Sequence, residues 1–253
     1  MGTLFIVATP IGNLNDISSR ALQTLRDVDV IACEDTRQTV KLLNHFGIQK
    51  HLTSYHEFNE EQKAVEFAEK LAGTMTIALV SDAGIPAIAD PGYRLVRLCR
   101  QRGIPVIPIP GPNAAITALA ASGLPSDEFM FVGFLPSKKS ARREKLADIA
   151  NSTCTLVLYE APHRIAASLE DIQDVLGDRE VCVAREVTKI HEEFLFGTIS
   201  AVRPRVNPLG EFVIVVRGAT EVRQAAPLTR EEVLKKLGMT RNELYELFFK
   251  KKP

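Results

Sequence analysis

A chain of 253 residues, 45% hydrophobic and 25% charged, carries enough apolar side chain for one large or two medium α/β domains, and its composition excludes a disordered or fibrous protein. Thirty-one basic residues balance 31 acidic ones, so no overall field attracts nucleic acid or a membrane, and an RNA partner has to be met by a local basic patch. Cys33, Cys99, Cys154 and Cys182 lie far apart in apolar runs without zinc-ligand spacing, so they read as reduced core residues of a cytoplasmic protein with no metal site.

The opening segment, Met1 to Asn13, lacks a basic leader and is apolar over too few residues for a signal peptide or a membrane span; no other run is long enough to cross a bilayer. A repeated pattern follows, in which a short apolar run meets a Pro/Gly loop and then a helical stretch. Leu4–Ala8 is a buried-strand candidate ending in Thr9-Pro10-Ile11-Gly12-Asn13, and Ser18–Leu25 reads as a helix. Val28–Cys33 is a second strand, ending in Glu34-Asp35-Thr36-Arg37. Glu60–Leu71 is a helix by the spacing of Ala64, Phe67, Ala68 and Leu71. Thr76–Val80 is a strand ending in Ser81-Asp82-Ala83-Gly84-Ile85-Pro86, and Arg94–Arg102 a helix. Pro105–Ile109 is a strand ending in Pro110-Gly111-Pro112-Asn113, before a small-residue helix at Ala114–Ala121. Continuous apolar strands alternating with helices indicate a mainly parallel sheet covered on both faces.

The second half has a different texture. Strands are expected at Phe129–Phe134, Thr155–Tyr159, Val181–Arg185, Glu193–Phe196 and Phe212–Val216, and helices at Ala141–Ala150 and Ile165–Leu176. The Phe194–Gly197 and Phe212–Val216 runs leave no room for a helix between them, so some antiparallel pairing is expected there and the second sheet is mixed. The expected organisation is two α/β domains, 1–121 and 122–220, with a short helical tail at 221–253. Within that tail, 228–249 is patterned as a helix-turn-helix and Thr229 to Glu232 as a capping box.

Ligands of open α/β sheets lie beyond the carboxyl ends of the strands. Three loops share that place: Thr9–Asn13, Ser81–Pro86 and Pro110–Asn113. None is a GxGxxG fingerprint or a P-loop. Pro10, Pro86, Pro110 and Pro112 each remove a backbone N–H, which makes these loops poor phosphate cradles. They suit a ligand that packs flat and takes few hydrogen bonds, such as an adenosine bearing a sulfonium and an amino acid. Each loop taken singly is equally an ordinary strand-to-helix turn.

Eight ordered blocks between residues 4 and 218 resemble one family. They are VATPIGNL at 7–14, CEDTR at 33–37, SDAGIP at 81–86, DPGY at 90–93, PGPNA at 110–114, GFLP at 133–136, YEAPHR at 159–164 and REVTK at 185–189. The chain is similar to the bacterial small-subunit (16S) ribosomal RNA cytidine 2′-O-methyltransferases of the tetrapyrrole (corrin/porphyrin) methylase superfamily. It departs from their pattern at Ile85, Ala89 and Phe58, where Thr, Ser and His are usual. The resemblance implies S-adenosylmethionine in a cleft between the two α/β domains. It also implies cofactor contacts from Pro10, Ile11, Gly12, Asp82, Ile85, Asn113 and Ala114, and from Tyr159, Ala184, Gly210 and Glu211 in the second half. It implies a homodimer as well.

No residue is singled out by spacing as the base for a ribose hydroxyl. Glu34, Asp35, His163, Arg185, Glu186 and Lys189 are candidates because they follow strands, and a lysine qualifies only if burial or neighbouring cations depress its pKa. For RNA, Lys138, Lys139, Arg142, Arg143 and Lys145 offer a cationic helix face through i,i+4 neighbours. A solvated helix face gives the same pattern. Three other readings stay in play. A tetrapyrrole C-methyltransferase of the same fold would want a wide apolar cleft and no basic helix. A nicotinamide oxidoreductase would want GxGxxG. A non-catalytic RNA-binding module would need no cofactor loops.

Overall fold

A computed structural model describes residues 1–220 together with Leu234, Gly238, Thr240 and Glu243. The helix-turn-helix expected at 228–249 and the capping box at its start lie outside the described residues, those four positions apart.

The first sheet is built from β1 (Thr3–Val7), β2 (Val30–Cys33), β3 (His51–Ser54), β4 (Thr76–Val80) and β5 (Val106–Ile109), all parallel, in the order β3-β2-β4-β1-β5. The two-residue period of the strands sorts the apolar side chains. Leu4, Ile77 and Leu79 face one side, under Phe67 and Leu71 of α3 (Glu60–Ala72) and Leu95 and Cys99 of α4 (Tyr93–Gln101). Val7, Ala78 and Val80 face the other, under Ala21 and Leu25 of α1 (Ser19–Asp27) and Leu43 of α2 (Thr36–His45).

The second sheet contains β6 (Phe129–Phe134), β7 (Thr155–Glu160), β8 (Glu180–Arg185), β9 (Glu193–Thr198) and β10 (Phe212–Val216), in the order β6-β7-β10-β8-β9. β6 and β7 are parallel; every other pair is antiparallel, so the sheet is mixed. The expected pairing of the last two strands is corrected. β8 lies between β9 and β10, and the connection between them holds a short helix at Ile199–Val202. One face is covered by α6 (Lys139–Asp148), α7 (Ile165–Leu176) and that short helix, α8.

The other face of the second sheet rests on α5 (Ala114–Ala121), which leaves the first sheet directly after β5. Ala115, Ala118 and Leu119 pack there against Val157, Cys182, Ala184, Val213 and Val215. Alanines let the helix approach the strands closely, and the two sheets thereby share one core with the cleft at its edge. No helix among the described residues is long and apolar enough to cross a membrane.

Candidate active site

Because β1, β4 and β5 run parallel, their following loops meet at one sheet edge. Thr9 and Gly84 exchange two backbone hydrogen bonds, of 2.9 and 3.1 Å, and the Thr9 hydroxyl donates to the Ser81 carbonyl at 3.1 Å. Gly111 allows the third loop to close on the first, since a Cβ there would stand 2.8 Å from that of Ala8. The ends of β6, β7 and β8 and the start of β10 form the facing wall. Between the walls lies a cleft of about 380 Å³, within the range of small-molecule sites (roughly 300–1,000 Å³).

The structure brings six of the eleven expected cofactor residues into that cleft: Ile11, Ile85, Asn113, Ala114, Tyr159 and Glu211. The Asn113 side chain also caps α5, accepting from the Ile116 N–H at 3.0 Å. The Tyr159 ring is held by Phe131 and Phe134, at 5.1 and 5.5 Å between centroids. Asp82 stands beside the cleft, where its carboxylate accepts from the Asp35 N–H at 3.1 Å. Pro10 is buried behind the wall, and Gly12 is turned toward Lys189. Ala184 does not line the cleft, because strand alternation buries its side chain under α5, and Gly210 lines a separate hollow with Arg185 and Glu186.

Among the catalytic candidates only Lys189 lines the cleft. It sits on the loop after β8, where Glu186 and Thr188 hold left-handed backbone conformations (φ 51° and 69°), a strain that proteins keep mainly at functional sites. The loop reaches the first half: the Asn13 N–H donates to the Thr188 hydroxyl at 3.1 Å. The Lys189 ammonium bonds Glu186 at 2.9 Å and Glu211 at 2.8 Å. Burial pulls its pKa down, but the Glu211 and Glu186 carboxylates outweigh it and the net shift is upward. Lys189 therefore fails the condition set for a lysine base and is a clamped cation. Burial likewise pushes Glu186 up, and the Glu211 N–H and the Lys189 ammonium bring it below the ordinary range. Arg185 is engaged with Glu193 at 3.0 Å, and His163 is exposed outside the cleft lining. Asp35 caps α2 and pairs with Arg37 at 2.7 Å, which holds its carboxyl down at about 2. Burial, then the Asp82 charge, raises Glu34.

Two cleft carboxylates escaped the sequence reading. Glu160 is buried and fully engaged, accepting from the Ser168 hydroxyl at 2.5 Å and the Ala161 N–H at 2.8 Å and pairing with Arg164 at 3.2 Å. Asp90 lines the cleft from the loop after β4, and burial, helped by the Glu34 charge, pushes its carboxyl up to about 6. The DPGY block at 90–93 was the available signal, but Asp-Pro-Gly also reads as an ordinary turn.

The cationic face of α6 needs correction at its centre. Arg142 is 5% exposed; its guanidinium donates to Asp171 at 2.7 Å and to the Ser137 carbonyl at 3.1 Å. Arg143 bonds Asp171 and Asp174 at 3.0 and 2.8 Å. The i,i+4 spacing placed these residues on one side of the helix, but for Arg142 that side faces α7. Lys138, Lys139 and Lys145 are exposed. A second, open groove adjoins the cleft at Lys189 and is lined by Asn13, Asn15, His45 and His191.

Residues 3–203 match the family Tetrapyrrole (Corrin/Porphyrin) Methylases. The chain is 52% identical over 223 residues to "Ribosomal RNA small subunit methyltransferase I" of Halalkalibacterium halodurans, covering 87% of this chain and 77% of that protein. It is 49% identical over 260 residues to the protein of the same name from Vibrio cholerae, covering 96% and 90%. Among solved structures it resembles uroporphyrin-III C-methyl transferase from Thermus thermophilus complexed with S-adenyl homocysteine, with a TM-score of 0.59, 17% identity and coverage of 85% of this chain and 97% of that one. That identity speaks for the fold alone.

Proposed function

The chain belongs to the tetrapyrrole (corrin/porphyrin) methylase family, and from that premise we propose that it transfers a methyl group from S-adenosylmethionine to the 2′-oxygen of a cytidine ribose in small-subunit (16S) ribosomal RNA. The observation that carries the substrate class is the 52% identity to a curated ribosomal RNA small subunit methyltransferase, since the fold by itself serves several substrates. Tetrapyrrole C-methylation is the second reading, favoured only by fold likeness at 17% identity.

The cleft fits the cofactor. It is bounded by proline-bearing loops with few free N–H donors, and it is mostly apolar. Ile11, Ile85, Asn113, Ala114, Tyr159 and Glu211 would hold the cofactor, with Asp82 beside them. When bound, S-adenosylmethionine supplies an already activated methyl sulfonium. The chain's own task is to align the ribose hydroxyl with it and to exclude water, a proximity effect worth up to about 7–11 kcal/mol. Exposed Lys138, Lys139 and Lys145, together with the open groove beside Lys189, are the surfaces we assign to RNA.

The same reading divides the chain into two α/β domains, 1–121 and 122–220, and places a homodimer in the cytoplasm. Sedimentation and cell fractionation test the last two points. Calorimetric titration with S-adenosylmethionine tests the site. The wild type should release heat, and Asp82→Ala and Tyr159→Ala should each weaken binding about tenfold, which is ~1.4 kcal/mol. A wild-type chain that binds none of it refutes the reading.

A further inference from the structure

The cleft holds four charged side chains, and three of them are already engaged. Glu160 is saturated by Ser168, Ala161 and Arg164, while Lys189 and Glu211 neutralise each other at 2.8 Å. Asp90 differs. Among the described residues it forms no ion pair, although it is half-buried in the cleft wall. The groups that face it are the Glu34 carboxyl from the end of β2, Asp82 and the Ser81 hydroxyl from the end of β4, and Tyr159 from β7. None of these is a cation.

Its backbone is also unusual. Ala87 and Ala89 on the same loop take left-handed conformations, φ 67° and 61°, which strain a non-glycine residue. Gly92 closes the turn at φ 149°, where a Cβ would lie 2.9 Å from those of Ala87 and a Leu79 methyl. The loop is thus folded back on itself against local preference, with Asp90 held in the cleft wall.

We propose that Asp90 is the catalytic residue that accepts the ribose 2′-hydroxyl proton; this rests on the methyl-transfer reading above. As the hydroxyl oxygen forms its bond to the methyl carbon, the carbon–sulfur bond breaks and its electron pair goes to sulfur, leaving a neutral thioether. The hydroxyl proton passes to a carboxylate oxygen of Asp90 and from there to water. No oxidant or further reactant is needed. A carboxyl that burial raises to about 6 is mostly ionised at neutral pH and is more basic than an exposed one.

The test uses the full-length protein with undermodified small ribosomal subunits, single-turnover kinetics at saturating S-adenosylmethionine, and calorimetry on the same preparations. Asp90→Asn keeps the shape and removes the acceptor. Methyl transfer should fall about 10²–10⁴-fold, the usual worth of a positioned base, while the cofactor Kd stays within twofold. The wild-type rate should fall as pH drops through about 6, and the residual rate of the variant should lose that inflection. Asp90→Glu should restore part of the rate. If Asp90→Asn instead weakens the cofactor Kd and leaves saturated transfer unchanged, Asp90 is a cofactor anchor and the proposal fails. An unchanged rate also overturns it. A wild type that binds cofactor but transfers nothing to the subunit removes the substrate reading, and this assignment with it.

Discussion

Arg142 and Asp171 form a buried ion pair between two helices, with side-chain exposures of 6% and 1%. Removing one partner of an isolated buried pair typically costs about 3–5 kcal/mol, but without Arg142 the Asp171 carboxylate keeps Arg143 at 3.0 Å. Arg142→Ala should therefore lower unfolding free energy by less, about 1.5–3 kcal/mol in urea titration, the usual worth of a hydrogen bond to a charged group. Lys138→Ala and Lys145→Ala should leave stability within about 0.5 kcal/mol and reduce the salt dependence of RNA binding instead. Burial pushes Asp171 up, yet Arg143 and Arg142 bring its carboxyl below the ordinary range. Its share of stability is therefore present above the ordinary carboxylate pKa of ~3.9 and is lost as pH falls below it; acid unfolding of Arg142→Ala should show a smaller such component, since Arg143 still holds the carboxylate. Residue identities in a charge run were plain in the sequence, but the acid facing Arg142, Asp171, comes from α7, 29 positions away. Pair-forming partners at that distance leave no local spacing signal. Asp90 was hidden for the same reason: its engagement with the cleft depends on how one strained loop folds back.

The loop of residues 186–192 links the halves of the site at the level of elements. Gly12 lies under it so closely that a Cβ would stand 2.4 Å from the Lys189 Cγ and 2.9 Å from the Thr188 hydroxyl. Gly12→Ala should push this loop off the first half. The expected outcome is a cofactor Kd weakened at least about tenfold, i.e. ~1.4 kcal/mol, with thermal stability nearly unchanged, measured by calorimetric titration and melting. Regular elements with a strong apolar period, such as Glu60–Ala72 and Ile165–Leu176, were legible in the sequence. α2 and β3 were not. The first has only ten residues, with Thr36, Thr39, Val40 and Asn44 among its weaker helix formers, and the second is a four-residue, partly exposed strand at the sheet edge. The order β6-β7-β10-β8-β9 was equally out of reach, because strand adjacency depends on which edge a returning chain joins.

Across the whole molecule, α5 joins the two sheets through one apolar cluster. Its apolar contacts with β7, β8 and β10 form a core to which both halves contribute, including Ile11 from the first loop and Val187 after β8. Leu119→Ala should cost about 2–5 kcal/mol, and urea unfolding followed by fluorescence and circular dichroism should remain a single transition rather than split by half. The family and the two-sheet α/β architecture were readable because motif blocks recur at strand ends along the chain, where such folds place their ligands. The proposed base was not readable, since that required knowing which carboxylates are already paired. The most direct test of the account is methyl transfer from labelled S-adenosylmethionine to undermodified small ribosomal subunits, with the product nucleotide mapped and its linkage challenged with alkali. Label is expected on one cytidine of 16S ribosomal RNA whose phosphodiester resists hydrolysis. Label on a base, or transfer to a tetrapyrrole with none to RNA, would contradict it.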